Sequence, residues 1–158
     1  MAKEIKTQIV INASAEKVWK VLTNFSQYPQ WNSFIKSITG EVKEGYTIVA
    51  HIHPPNGKAM TFKPKVLAFK ANKEFRWLGY FLFKGLFDGE HKFELIANAD
   101  GSTTLIQSER FTGILVPLFK TMLETKTLKG LQQHECRIEK ESRRNLMLIF
   151  FFRLAHVL

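Results

Sequence analysis

Two ionisable residues, His91 and Glu109, stand in a strongly aromatic stretch of the sequence, residues 75–111. Aromatic and charged residues alternate there with a period of two, which predicts strands with one wet face and one dry face. Both residues fall where the alternation calls for apolar side chains. A histidine and a carboxylate on a dry face can orient a polar group of a ligand or act as a general base. They can also simply satisfy each other's hydrogen bonds, as most buried polar groups do.

Turn positions predict which residues of this stretch lie opposite each other. A hairpin centred near Asp100 pairs residues whose numbers sum to about 200, so His91 faces Glu109. A second turn around Lys84 places Trp77 opposite His91. The sequence therefore predicts a row of three side chains, Trp77, His91 and Glu109, on one face of a sheet. A slip of one residue would turn the whole row to the other face.

Further residues are predicted to line the space above this face, because they share the dry side of a strand or face it from a helix. The candidate ligand-binding residues are Trp31, Phe62, Trp77, His91, Phe93, Gln107, Glu109, Phe111, Phe119 and Met122. No catalytic residue is assigned. If the protein is an enzyme, His91 and Glu109 are the candidates for its acid or base.

Other site chemistries find no support in the sequence. His51 and His53 share one face of a strand, but no cysteine or aspartate completes a metal-ligand set. No serine or cysteine stands in a nucleophile-elbow context, and the glycines form no phosphate loop. We therefore expect no metal and no other cofactor.

Composition indicates an ordinary globular domain, with 45% hydrophobic and 23% charged residues among 158. The net charge is +9, but the lysines are scattered singly and no nucleic-acid-binding motif is present, so we expect no nucleic-acid partner. Cys136 is the single cysteine, which excludes an intramolecular disulfide and agrees with a cytoplasmic location. No apolar run reaches the ~20 residues of a membrane span. We expect a monomer or weak dimer, with membrane contact at most peripheral.

The elements that must position the candidate residues follow in the order strand, two helices, six strands, long helix. Strands are predicted at residues 3–12, 34–42, 46–53, 60–71, 73–80, 86–97 and 103–113. Helices are predicted at residues 15–23, at 28–31, and from Pro117 onward. A long antiparallel sheet with one dry face needs an apolar cover, and the last helix is the only element long enough. The order predicts an α+β fold, with a curved seven-stranded antiparallel sheet around that helix and a hydrophobic cavity between them.

Five stretches of the sequence form a recognisable pattern: IVI at 9–11, ASAEKVWKVLTNFSQYPQWN at 13–32, FRWLG at 75–79, FDGEHKFEL at 87–95 and DGSTTLIQSERFTGILVPL at 100–118. In these stretches the chain resembles the START-related superfamily, also called SRPBCC. That superfamily includes the polyketide cyclase/dehydrase and lipid-transport proteins and the birch-pollen allergen group. The resemblance spans residues 3–133 and implies the helix-grip fold with an internal hydrophobic cavity. It does not imply one function, because the superfamily includes carriers, cyclases and hydroxylase subunits.

Residues 134–158 depart from the family pattern, since a charged run is followed by an apolar one. We predict a single ligand-binding domain over residues 1–145 and an apolar tail over 146–158. One interpretation of the apolar run at 146–152 is a segment that touches a membrane. Another is a reading-frame change. Deleting one nucleotide from the His134 codon gives, with permitted codons, Met-Asn-Ala-Glu-Leu-Lys-Lys-Lys-Ala-Glu-Glu-Ile and a stop. On that interpretation His134 and Cys136 carry no functional weight.

Two functions from different classes follow. The first is binding of a hydrophobic small molecule, such as a lipid or a polyketide-like aromatic, for transport or sequestration. The alternative is a cyclase, dehydratase or isomerase that uses the same cavity, with His91 or Glu109 as acid or base. A third hypothesis is a membrane-surface protein attracted by the positive net charge.

Overall fold

The computed structural model describes residues 2–32, 35–53, 58–122 and 128–155, without the side chains of 120–122 and 144–155. Within these ranges the strands are β1 Ala2–Ile11, β2 Ile35–Thr39, β3 Val49–Ile52, β4 Met60–Phe62, β5 Lys65–Lys70, β6 Glu74–Tyr80, β7 Asp88–Ala97 and β8 Thr103–Thr112. The helices are α1 Ala15–Thr23, α2 Tyr28–Trp31, α3 Val116–Met122 and α4 Leu128–Ala155, with a 3₁₀ turn at Phe25–Gln27.

The strands form two antiparallel sheets. The larger has the order β1-β8-β7-β6-β5, and the smaller has the order β2-β3-β4. Helix α4 contacts β1, β8 and α1, and α2 contacts β2. The fold is therefore the expected α+β helix-grip arrangement, in which sheet strands surround a long C-terminal helix and two short helices follow the first strand.

The strand count corrects the sequence-based expectation. Residues 60–71 were expected to form one strand of a single seven-stranded sheet, but they form β4 and β5 in different sheets. The break falls at Pro64, which has no N–H to donate to a strand ladder. An isolated bridge between Thr47 and Lys65 joins this region to the segment before β3, and backbone hydrogen bonds of Tyr46 and Ile48 to residues 64–66 support it.

The helices agree with the expected positions. Helices α1 and α2 have the bounds that the sequence predicts, and Pro117 lies in the first turn of α3. The C-terminal helical region is described as two helices, α3 and α4, and residues 123–127 between them lie outside the described part. None of the described helices is both long enough and apolar enough to cross a membrane.

Two clusters of buried side chains lie along the inner face of the larger sheet. The main cluster joins this sheet to α1, α2, α4 and the smaller sheet, and its fully buried members include Ile11, Val18, Leu22, Tyr28, Phe75, Phe93, Leu105 and Ile138. The second cluster lies beside α3 and contains Ile5, Phe111, Val116 and Leu131, with Phe87 and Phe119 packed against it. The candidate site lies between these two clusters.

Candidate functional site

The predicted pairing of the aromatic strands is confirmed. Trp77 on β6 lies opposite His91 on β7, and His91 lies opposite Glu109 on β8. The turn residues explain why the register could be read from the sequence. Asp100 accepts hydrogen bonds from the backbone N–H and the hydroxyl of Ser102, and these bonds lower the pKa of its carboxyl group. Gly101 supplies the positive φ of 82° that the turn needs.

His91 and Glu109 form a close pair on this face. The Nδ1 atom of His91 donates to Oε1 of Glu109 at 2.5 Å, and the two side chains are only 12% and 21% exposed. The imidazole stacks on the indole of Trp77, with ring centroids 4.7 Å apart and an angle of 12° between the planes. Stacking and hydrogen bonding together fix the orientation of the His91 ring.

The second nitrogen of His91, Nε2, is buried and has no hydrogen-bond partner among the described residues. Because Nδ1 donates to Glu109, a neutral His91 presents a lone pair at Nε2 that can accept a hydrogen bond from a hydroxyl group. A protonated His91 presents a donor there, suited to a carbonyl or carboxylate oxygen. The two residues therefore satisfy each other only in part, and one buried polar atom is left for another group.

Helix α4 covers the same face of the sheet. Phe93, two residues after His91 on β7, is fully buried. Gln107, which lies opposite Phe93 on β8, donates from Nε2 to the carbonyl oxygen of Leu131 on α4 at 3.2 Å. Side chains alternate along a strand, so His91 and Glu109 point to the side that carries α4. The row therefore lies on the dry face, as the period of two predicts.

A second polar centre on this face contains His134 of α4. Its Nδ1 donates to Oε1 of Gln107 at 2.8 Å, and its Nε2 accepts from Nδ2 of Asn32 at 3.0 Å. The Oδ1 of Asn32 accepts in turn from the backbone N–H of Ile35 at 2.8 Å. The imidazole also stacks on Trp31, with centroids 5.4 Å apart. In this series of hydrogen bonds, each donor meets an acceptor only if His134 is neutral.

Burial also favours the neutral form of His134. Removal from water lowers its pKa to about 3, and the neighbouring His91 and Arg137 act in the same direction. His134 therefore stays neutral at physiological pH.

Other polar groups of α4 also turn inward. The Thr7 hydroxyl donates to Oε1 of Glu135, and burial raises the pKa of that carboxyl group. Arg137 donates to the carbonyl oxygen of Trp31 at 2.8 Å. Ser142 is fully buried, and its Oγ has no partner within the part of the chain that the structure describes. The inner face of α4 is thus more polar than the cover of a dry sheet face needs to be.

The next row of paired residues beyond His91 contains two glycines. Gly79 on β6 lies directly opposite Gly89 on β7, and Gly89 lies opposite Phe111 on β8. A Cβ on Gly89 would meet the Phe111 ring at 3.6 Å and Oε2 of Glu109 at 3.9 Å, which are ordinary contact distances. A Cβ on Gly79 would meet Cβ of Pro64 at 3.8 Å. Both strands therefore lack a side chain on the inner face beside the His91–Glu109 pair, and the Phe111 ring and Pro64 are their neighbours there.

The predicted lining residues fall into two groups. Trp31, Phe62, Trp77 and Phe93 belong to or pack against the main cluster, which lies towards α1 and α2. Phe111 and Phe119 belong to the second cluster, beside the glycine row. The side chain of Met122 lies outside the described residues. The candidates therefore divide between the two clusters, and the His91–Glu109 pair stands between the two groups.

Three features of the site were not predicted. Nothing in the sequence patterns marks His134 or Asn32 as a site residue, and nothing singles out the pairing of Gly79 with Gly89. One signal was present, because Leu131, Glu135, Ile138 and Ser142 recur at spacings of four, three and four, which predicts a single helix face. His134 lies beside that face.

His51 and a cleft in the surface lie away from the His91–Glu109 pair. His51 is exposed, and its Nδ1 lies 2.9 Å from the Thr61 hydroxyl. Across the described ranges, no group of three or more metal-ligating side chains comes together. A cleft of about 190 Å³ lies between α1 and α4, lined by Lys20, Val21, Asn24, Gln27, Trp31 and Glu141. Its lining is mostly polar and is separate from the His91 row.

Comparison with known proteins gives a family and a fold. Residues 2–137 match the family described as polyketide cyclase / dehydrase and lipid transport. No curated protein matches the sequence. Similar solved structures include the ZhuI aromatase/cyclase from Streptomyces sp. R1128, with a TM-score of 0.74 and 14% identity over 92% of this chain and 96% of that one.

Two further solved structures show the same fold. Norcoclaurine synthase from Thalictrum flavum aligns with a TM-score of 0.70 and 13% identity over 92% of this chain and 96% of that one. A Staphylococcus aureus protein of unknown function aligns with a TM-score of 0.74 and 14% identity over 93% and 97%. At such identities the solved structures establish only the shared fold. The match to the family is a match of sequence, and it covers residues 2–137. The chain therefore belongs to the polyketide cyclase / dehydrase and lipid transport family.

Proposed function

We propose that the protein binds a hydrophobic small molecule that carries one polar group, such as a lipid or a polyketide-like aromatic. The polar group meets Nε2 of His91, and the apolar body lies beside Gly79 and Gly89, next to the Phe111 ring. The observation that carries this proposal is the buried Nε2 without a partner among the described residues, next to the opposed glycines Gly79 and Gly89. A ligand hydroxyl or carboxylate there would supply the missing hydrogen bond.

The surroundings of this position suit an apolar body. Phe111 and Phe87 pack against each other at a centroid distance of 5.5 Å, and Phe119 meets Phe87 edge-on at 5.7 Å. On the other side, Trp77 and Phe93 stand 5.5 Å apart. Binding sites for small molecules are typically apolar with a few placed polar groups, and this arrangement has that composition.

An enzyme is the second candidate function, and the geometry of the His91–Glu109 pair favours it. A carboxylate that accepts from Nδ1 fixes the orientation and tautomer of an imidazole, so that Nε2 is free to take up a proton, which is the arrangement of a general base. Such a base could remove a proton from the carbon next to a carbonyl group, which is the step a cyclase or dehydratase needs. The shared fold of the ZhuI aromatase/cyclase is compatible with this candidate but does not select it.

Adding a side chain at the opposed glycines tests the binding proposal. Gly89→Val places a side chain on the inner face with its Cβ at ordinary contact distance from the Phe111 ring, so the variant should lose ligand, and circular dichroism verifies that it still folds. The protein is isolated from its native cell and analysed by native mass spectrometry, and the displacement of a fluorescent fatty acid is measured. Arg110→Val is the matched control, since Arg110 is exposed on the outer face of the adjacent strand. Equal ligand occupancy in parent and Gly89→Val would refute this placement.

Turnover separates the two candidates. For an enzyme, Glu109→Gln and His91→Ala should lower the rate with a candidate carbonyl substrate by about 10²–10⁴-fold, the usual contribution of a general base. Unchanged turnover in both variants would rule out this pair as the catalytic base. Substrate binding without any turnover in the parent protein would favour the binding function.

A further inference from the structure

An exposed apolar rim surrounds the end of the larger sheet where the glycine row lies. Six large apolar side chains, in two neighbouring loops and in the ends of β6 and α3 beside them, are each at least half exposed. They are Tyr80, Phe81, Leu82, Phe83, Ile114 and Leu118, and we name them the apolar rim. Exposed apolar side chains are normal when single, but such a concentration indicates a contact surface.

The two loops of the apolar rim are joined into one unit. The N–H of Ile114 donates to the carbonyl oxygen of Gly85 at 3.1 Å, and the N–H of Leu115 donates to that of Leu86 at 3.1 Å. The Asp88 carboxylate accepts from the N–H of Gly85 at 2.9 and 3.0 Å, which fixes the loop further. The rim is therefore held in place by backbone hydrogen bonds rather than by burial of its own side chains.

Leu82 at the tip of the first loop has a strained backbone. Its φ is +63°, a region that leucine rarely occupies, and its side chain is 74% exposed. Strain in an exposed apolar residue gains nothing for the isolated molecule. Such outliers cluster at functional sites, among them sites that clamp a ligand.

We propose that the apolar rim docks onto an anionic membrane surface, with its loop tips among the lipid headgroups. Residues 80–87 and 113–119 contain Lys84 and no acidic residue, and the whole chain carries a net charge of +9. Projecting aromatic and aliphatic side chains beside lysine, on a cationic protein, are the usual chemistry of interfacial binding. The proposal goes beyond ligand binding and would place the glycine end of the site next to the bilayer.

Vesicle co-sedimentation tests this proposal with the full chain. Vesicles of equal parts phosphatidylcholine and phosphatidylserine are compared with vesicles of phosphatidylcholine alone. The rim variant combines Leu82→Asn, Phe83→Ser and Leu118→Ser, and asparagine tolerates the positive φ at position 82. We expect the parent to bind the anionic vesicles, more weakly at high salt, and the rim variant to bind about tenfold or more weakly.

Controls separate the apolar rim from other surfaces. The matched control combines Val10→Thr, Met60→Thr and Ile96→Thr, which remove exposed apolar side chains away from the rim, and it should bind like the parent. Circular dichroism verifies the fold of each variant. A separate variant, Phe150→Asp, tests the C-terminal apolar run.

Three outcomes would overturn the proposal. They are no binding of the parent to either vesicle, equal binding of the parent and the rim variant, and loss of binding only with Phe150→Asp. A change of oligomeric state in the rim variant, without a change in vesicle binding, would assign the rim to a second copy of the chain instead. Displacement of the fluorescent fatty acid in solution should be the same in parent and rim variant, so failure here is distinct from failure of ligand binding.

Discussion

His134 and Gln107 hold each other across the interface of helix and sheet, with Nδ1 of His134 donating to Oε1 of Gln107 at 2.8 Å. Gln107 passes the interaction on by donating to the Leu131 carbonyl oxygen. The pair lies where the inner face of β8 meets the first turns of α4. It ties the position of the covering helix to the protonation state of one histidine.

Stability should therefore fall in acid through His134. Its pKa is about 3 in the folded chain and 6.5 in the unfolded chain, so between these values only the unfolded chain takes up a proton. The stability present above pH 6.5 is lost as the pH falls towards 3, at up to about 1.4 kcal/mol per pH unit. Urea unfolding followed by circular dichroism at several pH values measures it.

Variants isolate the histidine in that experiment. His134→Gln should remove this part of the slope, whereas His51→Gln, at an exposed site, should leave it unchanged. The raised pKa of Glu135 acts with the opposite sign, because its contribution is lost as the pH rises. It is common to all three proteins and cancels in the differences. Parallel stability curves for parent and His134→Gln would contradict the assignment.

The buried hydroxyl of Ser142 should be a net cost. Ser142→Ala removes an unpaired buried polar group with almost no change in shape, so the free energy of unfolding should rise by about 1 kcal/mol. Chemical denaturation measures the change, with Ser26→Ala as an exposed control. A loss of stability would show that the Oγ has a partner.

The same helix face bears on the reading-frame hypothesis. The alternative frame would replace His134 by methionine, Glu135 by asparagine and Ser142 by alanine, which removes an imidazole, a carboxylate and a hydroxyl from the inner face. Sequencing of the gene tests the hypothesis directly, and codons other than CAT GAA TGC for His134 to Cys136 would refute it.

Ligand affinity should depend on the free nitrogen of His91. His91→Phe keeps a flat ring against Trp77 but lacks Nε2, so affinity for a fluorescent fatty acid should fall about tenfold, the worth of one buried hydrogen bond. Displacement titration measures the affinity, and His51→Phe is the exposed control. Unchanged affinity would place the polar end of the ligand elsewhere.

Gly113 should tolerate no side chain. Its φ is +125°, and a Cβ would lie 2.5 Å from the carbonyl oxygen of Leu86. Gly113→Ala should therefore destabilise the protein by several times the ~1 kcal/mol of backbone strain alone. Gly101→Ala is the matched control, since Gly101 has φ of +82° and nothing within 4 Å. Similar losses in thermal unfolding for both variants would contradict the clash.

The sequence predicts the row of Trp77, His91 and Glu109 because short turns fix the pairing and a period of two fixes the face. The sequence does not predict the division into two sheets. A proline such as Pro64 is compatible both with the end of a strand and with a continuous strand at the edge of a sheet. The network around His134 joins residues 102 positions apart, Asn32 and His134. Such contacts follow from packing, which no local pattern encodes.

The inner face of the sheet changes along its length, from Phe75, Phe93 and Gln107 under α4 to the opposed glycines, Gly79 and Gly89, at the other end. Opening of a structure on slow timescales follows the local density of packing, so amide hydrogens should exchange slowly at the first end and faster at the second. A molecule seated on the glycines would slow the faster end selectively. Ligand binding would then change the rigidity of the glycine end, without any change in the structure of the densely packed end.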